Sequence, residues 1–189
     1  MTDAASLTPS SWESFYVIIG SSSAALIGLQ FVVITLIAER RAHRTESHAL
    51  SAFATPTVVH FAVALLVSAV MTAPWPSVTA VGIALASCGV GGVGYALRVV
   101  LRARRQTAYT PVWEDWLWHV VLPVAAYIIV GAAGWLVRAH ASVGPFLAAS
   151  AGLALLFIGI HNAWDTVTYI VITDQAEDEK VGTRPSSDA

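Results

Sequence analysis

Five stretches of this chain, roughly residues 15 to 38, 56 to 75, 78 to 98, 117 to 137 and 144 to 172, run almost free of charged side chains. Each matches the about 20 mostly apolar residues that an α-helix needs to cross a bilayer core. Nothing else in the sequence restricts the fold as much. In hydrocarbon every backbone N–H and C=O must be paired within the protein, which leaves helices or closed barrels. No stretch alternates with the two-residue period of a barrel strand. The expected fold is therefore an all-α integral membrane protein, one five-helix bundle over residues 1–172. Composition agrees: of 189 residues 56% are hydrophobic and 12% charged, with a mean hydropathy of +0.67, far from the balance of a water-soluble domain.

Local signals refine the boundaries. In "SSWE", Ser10 stands three residues before Glu13, a spacing that predicts a capping box at the start of the first helix. Pro56 and Pro145 are expected in first turns, where a missing N–H is tolerated. "APWPS" predicts a tight turn between the second and third helices, and "QTAYTP" closes the linker before the fourth. Residues 173–189 are polar, with Pro, Gly and Ser, and are expected to form a disordered tail. The first ten residues carry one Asp and no Lys or Arg, so the first span is expected to be retained rather than removed as a signal peptide.

Orientation follows from the basic residues. Arg40, Arg41, Arg44, Arg98, Arg102, Arg104, Arg105, Lys180 and Arg184 fall on one side of the spans, and Arg138 alone on the other. The positive-inside rule then puts the N-terminus outside and the C-terminus in the cytoplasm. The preference for Arg over Lys, with abundant Ala, Val and Gly, suits a GC-rich bacterial genome, hence a bacterial inner membrane. A net charge of −2 offers nothing to nucleic acid. The single Cys88 excludes an internal disulfide.

Helix packing in lipid relies on close approach through small residues. Gly20, Ala24 and Gly28 repeat at spacing four in the first span, and Ala84, Cys88, Gly92 and Ala96 in the third. These stripes serve packing within one bundle or, in the sharper reading, a homo-oligomer.

Polar residues inside spans are rare and are functional candidates. In the expected topology Gln30, His60, Arg98, His119, His161, Asn162, Asp165 and Thr168 fall in one layer toward the cytoplasmic side. Asp165 follows His161 by four residues and His119 follows Asp115 by four, so each carboxylate can reach its imidazole along one helix face. Pro123 is expected to free the His119 carbonyl four residues before it. Ordinary roles compete: His60 and His119 bonding nearby backbone, Arg98 reaching to headgroups, and Trp113, Trp116 and Trp118 anchoring the helix at the interface.

Three functions fit. The first is a homo-oligomeric ion channel or transport unit with the polar layer as its constriction. The second is a noncatalytic helper or scaffold that binds another membrane protein. The third is a metal or haem protein using His60, His119 and His161. An enzyme is disfavoured, because GxSxG, Walker and Gly-rich dinucleotide motifs are lacking.

Overall fold

The structure, a computed structural model, describes residues 9–42, 50–103, 113–140 and 142–182. These residues are helical apart from short turns, and no strand occurs among them. The elements are α1 (Pro9–Ala42), α2 (Leu50–Thr72), α3 (Val78–Ala103), α4 (Trp113–Trp116), a π-helical turn (Leu117–Val121), α5 (Leu122–Ala139) and α6 (Val143–Gly182). Five spans are long and apolar enough to cross a membrane: Trp12–Ile37, Thr55–Thr72, Val78–Leu101, Leu117–Ala139 and Val143–Tyr169. The chain is thus an all-helical, multi-pass membrane protein. The π turn and α5 together form the fourth span, with α4 just before it.

α6 is central. It packs on α2, α5 and α1, while α1 leans mainly on α2 and α3 mainly on α5. Half of the most apolar stretch of α6 is buried, against 22% for α1. The outward faces carry Leu29, Phe31, Ile83, Val90, Leu97 and Phe157. In water such a surface would drive association, whereas in a bilayer it is the lipid face.

Glycines set the closest approach. A Cβ on Gly89 would lie 2.5 Å from the Gly131 nitrogen, and one on Gly134 would lie 2.5 Å from the Gly82 carbonyl oxygen. α3 and α5 therefore touch backbone to backbone. The α3 stripe serves the same contact: Gly92 and Ala96 are buried, and Ala84 and Cys88 pack against the core. Gly20 meets Ser68 of α2, whereas Ala24 is exposed and a Cβ on Gly28 would meet nothing within 4 Å. The first-span stripe is thus split between an inward and an outward face.

At the end of the bundle where α6 begins, the Tyr16 hydroxyl donates to the Pro145 carbonyl at 2.9 Å, and Trp12 meets Phe146 edge to face. Replacing Tyr16 with Phe removes this tie between α1 and α6. The expected loss is about 1 kcal/mol, read as a lower unfolding midpoint in detergent. An unchanged midpoint would show that the tie contributes nothing.

Several boundaries differ from the sequence expectation. α1 begins at Pro9, so Ser10 lies inside the helix and not at its cap. A proline suits that first position, since its N–H would be unpaired anyway. α2 begins at Leu50 and carries Pro56 within it, because "LSAFAT" holds no breaker and only one backbone donor is lost at the proline. Pro145 does fall in the first turn of α6. "APWPS" forms the expected turn, where Trp75 Nε1 donates to the Val70 carbonyl at 2.7 Å and the Ser77 hydroxyl accepts from the Ala80 N–H at 3.2 Å. α6 continues to Gly182, through residues expected to be disordered. Gln175, Ala176, Glu177, Glu179 and Lys180 are good helix formers, and Gly182 with Pro185 supplies the stop. "QTAYTP", Arg44, Arg104, Arg105 and residues 183–189 lie outside the described residues.

Candidate functional site

The buried face of α2 runs through Thr57, His60, Phe61, Ala64, Val67 and Ser68. This is the three-and-four spacing of a helix side turned to its neighbours. On α5 the equivalent face carries Pro123, Ala126, Tyr127, Val130 and Ala133. His60 Nδ1 and the Tyr127 hydroxyl meet across the bundle at 2.7 Å, both residues buried. Gly92 creates room for this pair, because a side chain there would collide with the Tyr127 ring.

Four hydroxyls in the spans bond their own helix. Those of Thr35, Ser68, Thr72 and Thr166 each donate to the carbonyl four residues earlier at 2.8 to 2.9 Å, which is how a lone hydroxyl is tolerated in lipid. Thr57 and Ser23 do not. The buried Thr57 Oγ1, Ser23 Oγ, His60 Nε2 and both ends of the Asn162 amide have no protein partner among the described residues.

The π turn shapes the second part of the layer. Leu122 N–H bonds the Leu117 carbonyl five residues back, and Pro123 follows with no N–H to give. The His119 carbonyl, four residues before Pro123 and expected to be freed by it, lies within this turn. The Trp118 ring stacks on the His161 imidazole, with centroids 3.8 Å apart and planes 24° apart. His161 Nε2 also pairs with Asp165 Oδ2 at 3.0 Å, the two side chains being 28% and 47% exposed.

The expected single layer therefore divides in two. Gln30, His60 and Asn162 are buried inside the bundle. His161 and Asp165 pair as their spacing predicts, but on the outer side of α6, while Arg98 and Thr168 are exposed. The reason is angular: Asn162 is one residue, about 100° of helix rotation, from His161. The Asp115 side chain lies outside the described ones, and the π turn alters the angular spacing that an α-helix would give Asp115 and His119. No group of three His, Cys, Asp or Glu side chains among the described residues is placed to hold a metal, so His60, His119 and His161 do not form a three-ligand site.

Sequence reasoning passed over Tyr127 and Thr57, and read Trp118 only as an interface anchor. Thr57 was signalled by its place three residues before His60 on one helix face. Tyr127 was signalled weakly, as the one residue with a polar tip in "PVAAYIIVGAAG". No protein-family model matches the chain, and neither a curated protein nor a solved structure is similar to it.

Proposed function

We propose that this chain is a homo-oligomeric transport unit of a bacterial inner membrane that passes protons or small cations, with its N-terminus outside and its C-terminus in the cytoplasm. The observation that carries this reading is the His60–Tyr127 pair, a titratable imidazole bonded to a phenol at 2.7 Å in the buried interior of the bundle. Polar groups at such depth are retained against their insertion cost where they serve a path or a relay. The basic residues support the orientation, under which the buried layer lies in the cytoplasmic half. The outward Ala24 and the open space beside Gly28 support the oligomer, since small residues let a second helix approach closely.

The test is flux. Purified protein in liposomes, with the potential clamped, is expected to dissipate a proton, Na⁺ or K⁺ gradient. His60→Ala is expected to lower that flux by about a hundredfold, the lower end of what a positioned proton-transfer group contributes. No flux of any of these ions over a range of pH would sink the reading.

One observation favours the scaffold as a second reading. α6 runs on as a helix from residue 170 to Gly182, past the apolar span that ends at Tyr169. As a helix its 40 residues reach about 60 Å, twice a bilayer core of about 30 Å. Truncation after Ile172 separates the two: retained flux favours transport, and flux-free protein whose cellular phenotype is lost on truncation favours the scaffold.

A further inference from the structure

We infer that Thr57, His60 and Asn162 enclose an internal binding site for small neutral molecules that both donate and accept hydrogen bonds, water being the smallest. The three side chains come from two packed helices and are 0%, 2% and 1% exposed. Together they present Thr57 Oγ1, His60 Nε2, Asn162 Nδ2 and Asn162 Oδ1 without a protein partner among the described residues. They share one level of the bundle. α2 and α6 run antiparallel, with Gly152 beside Val67 and Gly159 beside Phe61. One further turn along each helix brings Asn162 opposite Thr57, and His60 stands three residues from Thr57 on the same face.

The donor and acceptor inventory selects the ligand. Asn162 offers N–H at one end of its amide and a carbonyl at the other, and Thr57 works either way. His60 Nε2 takes whichever role Nδ1 does not take toward Tyr127. A bare cation would satisfy Asn162 Oδ1 and Thr57 Oγ1 but leave the amide N–H unpaired, and an anion would do the reverse. No carboxylate among the described side chains offsets a cation here: Asp165 is turned to the outside and engaged with His161. A neutral molecule with both functions serves all four atoms, as buried waters do in protein interiors. The identity of the site does not depend on the transport reading. Its consequence for cargo does rest on that reading: of the ions considered, the layer passes protons, through bound water, in preference to Na⁺ or K⁺.

Thr57→Val, which keeps the side-chain shape, tests the site in the full chain. A bound molecule losing a partner lowers the unfolding midpoint by a few degrees. A raised or unchanged midpoint, the result of removing an unpaired hydroxyl, would overturn the inference. Hydroxyl-radical footprinting of the wild type is a second readout that needs no variant. Phe61 and Tyr127, 1% and 0% exposed, are expected to be oxidised by radicals formed from bound water or, if urea is added and enters, to be protected by it. Labelling that urea leaves unchanged marks water alone, and labelling that it suppresses marks a site that also takes a solute. Absence of labelling at both residues without urea would overturn the inference. In liposomes, Na⁺ or K⁺ flux that Asn162→Leu abolishes would also overturn it. Absence of all flux would remove only the transport reading, leaving the site to be judged by the midpoint and the footprint.

Discussion

Gly89→Leu is expected to prevent the bundle from assembling, and Gly89→Ala to destabilise it by about 1 to 3 kcal/mol, the usual range for overpacking a tight contact. The first atom added to Gly89 falls 2.5 Å from the Gly131 nitrogen, 2.6 Å from its Cα and 2.7 Å from the Tyr127 carbonyl oxygen. Non-bonded heavy atoms prefer about 3.5 to 4.0 Å. All three neighbours are backbone, so no rotamer change relieves the clash and α3 must move away from α5. That movement would also disturb the Tyr127 ring beside Gly92. Gly91→Ala and Gly94→Ala are the controls: their Cβ positions meet nothing within 4 Å, and alanine improves helix propensity by up to about 1 kcal/mol. Unfolding midpoints in detergent rank the four variants. A Gly89→Ala protein as stable as Gly91→Ala would show that the backbone contact between α3 and α5 is not required.

The second large effect is expected at the buried pair. Tyr127→Phe leaves His60 Nδ1 without its bond, and His60→Leu leaves the phenol without its partner. Each is expected to cost about 1 to 3 kcal/mol, the penalty for orphaning a buried polar group. The double variant is expected to cost less than the two single losses added together, because the second change removes a group already orphaned by the first. A double-mutant cycle measures this. Strictly additive losses would mean that the 2.7 Å contact contributes no coupling.

How much of this was readable beforehand depends on whether the signal was local. Apolar length gave away the five spans, and spacing four gave away the Ala84, Cys88, Gly92, Ala96 face, since both are properties of one helix. His60 was conspicuous as an imidazole in an apolar run. Its partner was not, because Tyr127 is 67 residues away and a tyrosine in a span serves equally well facing lipid or protein. The backbone contacts of Gly89, Gly131 and Gly134 were hidden for a similar reason: Gly91 and Gly94 look the same in the sequence and face open space. The spacing of His161 and Asp165 predicted their pairing correctly. Spacing along one helix carries no information on which face a neighbour will cover, and so Asn162, not Asp165, is the residue turned inward. Pro123 announced a lost backbone donor, but not the five-residue register of the turn just before it.

The π turn at Leu117–Val121 has a further consequence for the fourth span. A π turn is an α-helix carrying one surplus residue, held without breaking the helix. Deleting a single residue there would let the segment close into regular α-helix. α5 would keep its seat on α3, while Trp113–Trp116 would swing by about 100° around the helix axis and draw back by about 1.5 Å. The protein thus carries, between its aromatic α4 and its tightly seated α5, a joint at which the two helices can be re-indexed against each other without unfolding either.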